Sequence, residues 1–172
     1  TLCVAEAIFV FPKGADKNKQ SEYFSTGLGF TCLLMLLTAG VFYLFGATIG
    51  RDSTNSFFQN KRYICLIIVT SFFQVYTQQF SQAIDKIKVY SFTGLIYTIA
   101  LAGFSFILVP KYKVDGYIFS MILSNCISTF YTVIFSKSFL YFSTKSISRS
   151  VYKALLKYSI PLIPNSLMWW LV

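Results

Sequence analysis

Long uncharged stretches alternate along the chain with short clusters of lysine and arginine. Four of these stretches are longer than the roughly 20 residues that a helix needs to cross a bilayer. They are 23–50, 63–84, 89–110 and 116–136. Strands of a membrane barrel would be about half as long and would alternate apolar and polar residues. The pattern therefore predicts an all-α, polytopic bundle of transmembrane helices.

The two ends of the chain are also apolar, but neither is long enough to cross a bilayer by itself. Residues 1–12 carry one charge, Glu6, and residues 158–172 carry none. We expect the first segment to be the second half of a spanning helix and the last to be the first half of another. Because residue 1 is Thr, we also expect an internal fragment of a longer protein.

The composition is typical of a membrane protein and argues against several kinds of metal and catalytic site. Apolar residues make up 55% of the chain and charged residues 12%, against roughly 25% charged residues in a typical soluble domain. There is no His, and the four cysteines form no Cys-x-x-Cys pair, so we predict no metal site and no cofactor. Phosphate-binding Gly-Lys-Ser/Thr loops and Gly-x-Ser-x-Gly nucleophile turns are missing as well. We therefore expect a protein that is not an enzyme.

The net charge of +9 comes from the connections between the apolar stretches. The first, third and fifth connections together carry twice as many lysines and arginines as the second and fourth. By the positive-inside rule, the odd-numbered connections face the cytoplasm. Because basic residues are present on both sides of the membrane, we expect no binding of nucleic acid.

The fifth connection combines a basic face with an apolar stripe. The basic face consists of Lys145, Arg149, Lys153 and Lys157, four residues apart. The apolar stripe consists of Ile147, Val151, Leu155 and Tyr158. This pattern predicts a helix that lies in the membrane interface. The basic face is then either an ordinary cytoplasmic anchor or a surface that gathers an anionic, lipid-linked substrate.

Polar residues inside the apolar stretches are candidates for a substrate path, because polar groups are costly at bilayer depth. Gln74, Gln78 and Gln82 share one face of the predicted helix 63–84. That face either lines a cavity or forms hydrogen bonds between helices. Glu6 is either a proton or cation site, a partner for a basic group elsewhere, or an acid that reaches the interface from a helix end.

The last apolar stretch contains two prolines three residues apart, Pro161 and Pro164. Pro161 can begin a helix, whereas Pro164 favours a bend. Asn165 follows directly, and it either lines the bent site or caps the start of the helix. We include Asn165 among the candidates for a substrate path.

The segment 155–170 closely resembles the seventh transmembrane helix of bacterial polysaccharide-unit flippases. These form the Wzx-like branch of the multidrug/oligosaccharidyl-lipid/polysaccharide exporter superfamily. The motif is Pro161-Leu162-Ile163-Pro164-Asn165-Ser166, followed by Met168-Trp169-Trp170. Residues 6–9 and 24–27 resemble the join of helices two and three in that family. Residues 79–90 resemble the join of helices four and five, and residues 114–117 resemble the turn into helix six.

The resemblance implies about twelve helices in two lobes of about six around a central cavity. Such proteins move undecaprenyl-pyrophosphate-linked oligosaccharides across the bacterial cytoplasmic membrane for polysaccharide biosynthesis, by alternating access. Residues 1–136 would form part of helix two through helix six of the first lobe. Residues 137–157 would be the basic cytoplasmic linker between the lobes, and residues 158–172 the start of helix seven. The partners would be the bilayer, the lipid-linked glycan and the second lobe of the same chain.

Three other interpretations stay open at the level of the sequence. A drug/cation antiporter of the same superfamily would need intramembrane acids, of which Glu6 is one. A membrane-bound glycan polymerase or acyltransferase would need catalytic residues such as His, Arg or Asp in its loops. A lobe that is inactive without the rest of the protein is the third possibility.

Overall fold

The computed structural model describes residues 4–49, 61–143 and 147–171, with side chains described for 7–41, 43–44, 63–143 and 147–161. This part of the chain is almost entirely helical and contains no strand, so the all-α prediction is confirmed. The α-helices are α1 (Val4–Val10), α2 (Lys17–Ile49), α3 (Lys61–Ala83), α4 (Ile87–Ser136) and α5 (Arg149–Leu171). A short 3₁₀ helix, Ser138–Tyr141, follows α4.

α4 is a hairpin of two helical arms, 87–112 and 114–136. Lys113, with φ 51° and ψ −121°, departs from helical geometry and reverses the chain. The arms are antiparallel, because the hydroxyls of Thr93 and Thr132 are 2.8 Å apart and Lys86, just before α4, contacts Ser136 at its far end. The arms correspond to the predicted helices 89–110 and 116–136, joined by a tighter turn than the sequence suggests.

The helices extend beyond the uncharged stretches from which they are predicted. α2 begins at Lys17 rather than near residue 23, and its first turn is already closed by a hydrogen bond from Gln20 N to Asp16 O. The reason is that a charge-free stretch marks the depth of the bilayer core, whereas backbone hydrogen bonds continue the helix into the polar region. α3 begins and ends within a few residues of its predicted bounds.

The main apolar core lies where α1, α2, α3 and α5 meet. Ile8, Phe24, Phe80 and Leu155 are all buried in it. The rings of Phe24 and Phe80 lie 4.3 Å apart between their centroids. Tyr76 is buried beside them and donates a hydrogen bond of 2.5 Å to the carbonyl oxygen of Phe24. The core therefore joins α1 and α5 to α2 and α3.

The α4 hairpin has the opposite distribution of polarity from a water-soluble fold. Its buried residues are mostly small and polar, whereas Phe106 and Phe130 are 84% and 70% exposed. A soluble monomer rarely exposes so much contiguous apolar surface. Lipid tails are as apolar as leucine, so in a bilayer large apolar side chains face outward and small residues let helices pack closely. The arrangement is that of a helical membrane protein.

Three described helices contain segments that are long and apolar enough to cross a membrane. These segments are Lys17–Val41, Tyr63–Ala83 and Ile87–Ser136. The last of them is the hairpin, and its two arms are about 39 and about 35 Å long at 1.5 Å per residue. Each arm is therefore long enough to cross the roughly 30 Å hydrocarbon core by itself.

Candidate functional site

α3 is packed on two sides and carries the predicted polar face. On one side Tyr76 and Phe80 enter the apolar core. On the other side the Asn125 amide donates to the hydroxyls of Thr70 and Ser71, at 3.3 and 2.9 Å. These bonds join α3 to the second arm of α4. Asn125 therefore makes the interhelical hydrogen bond that its neutral amide favours at this depth.

The glutamine face, defined as Gln74, Gln78 and Gln82, runs along the last two and a half turns of α3. Gln74 Nε2 donates to Gln78 Oε1 at 2.9 Å, so these two side chains form one hydrogen-bonded pair. All three glutamines are partly exposed rather than sealed inside the bundle. Gln74 lies one helical turn beyond Thr70, so the face starts beside the contact with α4.

The neighbouring hydroxyl groups on α3 donate hydrogen bonds to backbone carbonyl oxygens of the same helix. They therefore do not use the glutamine side chains as partners. Thr77 Oγ1 donates to the carbonyl oxygen of Phe73 at 2.9 Å, and Ser81 Oγ donates to that of Gln78 at 2.7 Å. Within the part of the chain that the structure describes, the side chain of Gln82 makes no hydrogen bond. A primary amide has two donor hydrogens and an acceptor oxygen. Among the described residues, the glutamine face therefore has more donors and acceptors than partners.

A second polar feature, which the sequence reasoning missed, is a small-residue stripe on the second arm of α4. Its members are Gly116, Ser120, Ser124, Ser128, Thr132 and Ser136, and all of them are buried. Ser120, Ser124 and Thr132 each donate to the carbonyl oxygen four residues earlier. Because these hydroxyls are turned back onto their own helix, the stripe is a close-packing surface. The strict four-residue spacing was the signal that could have identified it.

The basic face of the fifth connection lies on α5. Arg149, Lys153 and Lys157 are all exposed there, and Lys145 lies outside the described residues. The apolar stripe behaves differently from the prediction, because Val151 and Leu155 are buried in the protein core. α1 and α2 offer them an apolar surface, so this part of α5 packs on protein instead of lying on lipid.

For several candidates predicted from the sequence, the structure describes the helix in which they lie but not their side chains. Glu6 lies in α1, and Pro164 and Asn165 lie in α5, but their side chains are outside the described set. Pro161 does not begin a helix, because α5 already starts at Arg149. The predicted boundary between residues 157 and 158 also falls inside this continuous helix. An interior proline removes a backbone hydrogen bond, which membrane helices tolerate where neighbouring groups or water replace it.

No protein-family model matches this chain, and no curated protein or solved structure is significantly similar to it. Among the described residues, no cluster of His, Cys, Asp or Glu is arranged to hold a metal ion. The chemistry of the site therefore rests on neutral amides and hydroxyls inside the bundle and on lysines and an arginine at its end.

Proposed function

We propose that the chain is part of one lobe of a multi-pass transporter that moves lipid-linked oligosaccharides across the bacterial cytoplasmic membrane. The transported unit would be an undecaprenyl-pyrophosphate-linked glycan used in polysaccharide biosynthesis. The resemblance of segment 155–170 to the seventh helix of Wzx-like flippases supports this proposal. The membrane character of the fold and the polar face of α3 support it independently of that resemblance.

The observation that carries the proposal is that the described residues satisfy only part of the hydrogen-bonding capacity of the glutamine face. Polar groups at bilayer depth are costly unless they meet partners, and they usually face a cavity or another helix. Gln74 and Gln78 bond to each other, yet both stay partly exposed together with Gln82. Three bulky amides with spare donors and acceptors on one face suit a path through which a polar solute passes.

The chemistry of this face suits a sugar better than a cation. Amides can both donate hydrogen bonds to sugar hydroxyls and accept them, and they carry no charge that would trap a cation. The negative pyrophosphate would be attracted instead by the exposed basic face of α5, which includes Arg149, Lys153 and Lys157. Glycan and phosphate would thus meet different parts of the lobe.

α5 supplies the point at which such a lobe could move. Pro161 and Pro164 both lie in its interior, and each removes a backbone donor from the helix. Alternating access requires one group of helices to rock or bend against another around the substrate site. We assign the bending role in α5 to these two prolines.

A complementation assay tests the proposal with the full-length protein in a strain that lacks its own glycan transporter. The double variant Gln78→Leu/Gln82→Leu replaces two amides of the face by apolar side chains of similar length. We expect glycan export to fall on the order of tenfold, the loss that corresponds to about 1.4 kcal/mol of transition-state interaction. Protein in the membrane is quantified in parallel, so that export is compared at equal amounts.

Gln79→Leu is the matched control, because Gln79 lies on the same helix but outside the glutamine face. We expect this variant to export glycan at close to the unmodified rate. Normal export by the double variant at normal protein levels would overturn the transport role of the face. Equal loss in the control and the double variant would overturn it as well, because the effect would then be a general effect of removing amides from α3.

A further inference from the structure

A second polar region lies at the end of the bundle and is separate from the glutamine face. It is a cleft of about 480 Å³ between the start of α2, the turn before α4 and the 3₁₀ helix. We call it the lysine cleft. It is lined by Lys17, Asn18, Ser21, Lys86, Ser136, Lys137, Leu140 and Tyr141. Small-molecule sites typically measure about 300–1,000 Å³, so the cleft can hold a lipid headgroup.

The lysine cleft brings together three positive charges from distant parts of the sequence. Lys17, Lys86 and Lys137 belong to the first, third and fifth connections, which were all predicted to face the cytoplasm. No acid lines the cleft, and among the described residues none of these lysines forms an ion pair. The lysines of the cleft are therefore without an ion-pair partner among the described residues, and Asp16 and Asp85, next to Lys17 and Lys86 in sequence, lie outside its lining.

Lys86 is held in place at the wall of the cleft. Its ammonium donates a 2.7 Å hydrogen bond to the carbonyl oxygen of Ser136, which leaves two further donor hydrogens. Partial burial and the positive charge of Lys137 lower the pKa of Lys86 from its ordinary value. An anion between the two lysines would relieve this repulsion. Ser21 Oγ donates to the carbonyl oxygen of Tyr141 at 2.8 Å and fixes the opposite wall.

Leu140 in the cleft wall and the exposed apolar residues next to it in sequence favour a lipid over a free ion. Phe139, Leu140 and Phe142 are 58%, 67% and 53% exposed in the segment that closes the cleft. Large apolar side chains beside lysines are typical of a surface that sits in the membrane interface. The cytoplasmic leaflet, which this end is predicted to face, is also the one rich in anionic lipids.

We propose that the lysine cleft binds the phosphate group of an anionic membrane lipid, with Lys17, Lys86 and Lys137 as its cationic ligands. The acyl chains of the lipid would leave the cleft over Phe139, Leu140 and Phe142. This lipid would be a resident of the membrane and not cargo, because the cleft lies at the end of the bundle. The proposal holds whether or not the chain transports glycans.

Binding is measured with the full chain in micelles of a zwitterionic detergent, using phosphatidic acid as the probe lipid. Phosphatidylcholine of the same chain length and inorganic phosphate are the comparison ligands. We expect phosphatidic acid to bind at least about tenfold more tightly than either, a difference of roughly 1.4 kcal/mol. Equal binding of phosphatidylcholine would overturn the charge-based site. Equal binding of inorganic phosphate would overturn the assignment to a lipid.

Two charge-matched double variants locate the bound phosphate. Lys17→Gln/Lys86→Gln removes two lysines of the cleft, whereas Lys19→Gln/Lys88→Gln removes two exposed lysines of the same connections outside it. We expect the first to weaken binding of phosphatidic acid on the order of tenfold and the second by less than about twofold. Equal weakening would overturn the proposal in favour of diffuse attraction to the basic end.

Lys86 also forms a hydrogen bond with Ser136, so its loss could affect folding as well as binding. The variant Lys86→Arg separates these two effects. Arginine keeps the positive charge and several donor hydrogens, so we expect this variant to keep most of the affinity. Loss of binding in Lys86→Arg with unchanged helical circular dichroism would overturn the role of charge at this position.

Discussion

At Gly116 the second arm of α4 lies directly against the backbone of the first arm. A Cβ added there would lie 2.3 Å from the carbonyl oxygen of Leu108 and 2.6 Å from its carbonyl carbon. Backbone atoms cannot move aside as the end of a side chain can. We therefore expect Gly116→Ala to open the hairpin and to lower the free energy of unfolding by about 1–3 kcal/mol, measured by thermal unfolding in detergent.

Gly103→Ala is the control for this prediction, because Gly103 lies in the first arm of the same hairpin. A Cβ at Gly103 would meet nothing within 4 Å. Alanine also favours a helix over glycine by roughly 0.5–1 kcal/mol, so stability should stay level or rise. A similar loss in both variants would contradict the close approach at Gly116.

Asn125 allows the strength of one interhelical hydrogen bond to be measured. Its amide donates to Ser71 Oγ at 2.9 Å, which joins α3 to α4. A double-mutant cycle with Asn125→Ala and Ser71→Ala should give a coupling energy of about 0.6 kcal/mol, the average for such bonds in membrane proteins. The coupling energy is obtained from unfolding curves measured at increasing concentrations of a denaturing detergent. Strictly additive losses would show that the two side chains do not interact.

α5 packs against protein where the sequence predicts contact with lipid. Leu155 is fully buried among the core residues, whereas Lys153 and Lys157 on the same helix are exposed. Hydrophobic periodicity identifies an apolar face of a helix but does not say whether lipid or protein covers it. The core cluster that contains Leu155 also contains Ile8 and Phe30, which lie on helices distant in sequence.

Leu155→Ala tests this packing. Truncating a buried leucine leaves a cavity and costs about 2–5 kcal/mol, so the free energy of unfolding in detergent should fall by that order. Ile160→Ala, at a residue that is 59% exposed on the same helix, should cost far less. If both variants lose the same small amount, Leu155 faces lipid or detergent and the helix lies on the membrane surface.

The long elements of this fold are easier to predict than their contacts. The helical arms at 89–110 and 116–136 follow from uncharged stretches, because the bilayer core excludes charge over a known length. The tight reversal between them depends on the backbone of the single residue Lys113, which no pattern marks. The four-residue spacing of the buried stripe from Gly116 onward is visible in the sequence, but small residues on one helix face do not show which other helix packs against it.

Polar side chains are distributed unevenly in two directions of the molecule, across the helices and along them. Across the α4 hairpin, small polar residues lie inside and large apolar residues such as Phe106 and Phe130 face outward. Along the bundle, Lys17, Lys86 and Lys137 gather at one end. The sequence predicts that odd-numbered connections share a side of the membrane, but only the fold shows that their lysines line one cleft.

The glutamine face of α3 lines a polar path if the proposed function is right, and forms a sealed contact between helices if it is wrong. The two differ in whether water reaches the face. Single cysteines at Gln78→Cys and Gln82→Cys, in a full-length protein whose native cysteines are replaced by alanine, report this through their reaction with a water-soluble thiol reagent. Leu95→Cys, at an outward-facing residue of the α4 hairpin, is the control.

We predict that cysteines at positions 78 and 82 react with the reagent in intact membranes, whereas the cysteine at position 95 is protected by lipid. Excess lipid-linked glycan should slow the reaction at positions 78 and 82. Protection of both positions to the level of position 95 would show that the face is closed against another helix, and it would contradict the proposed path.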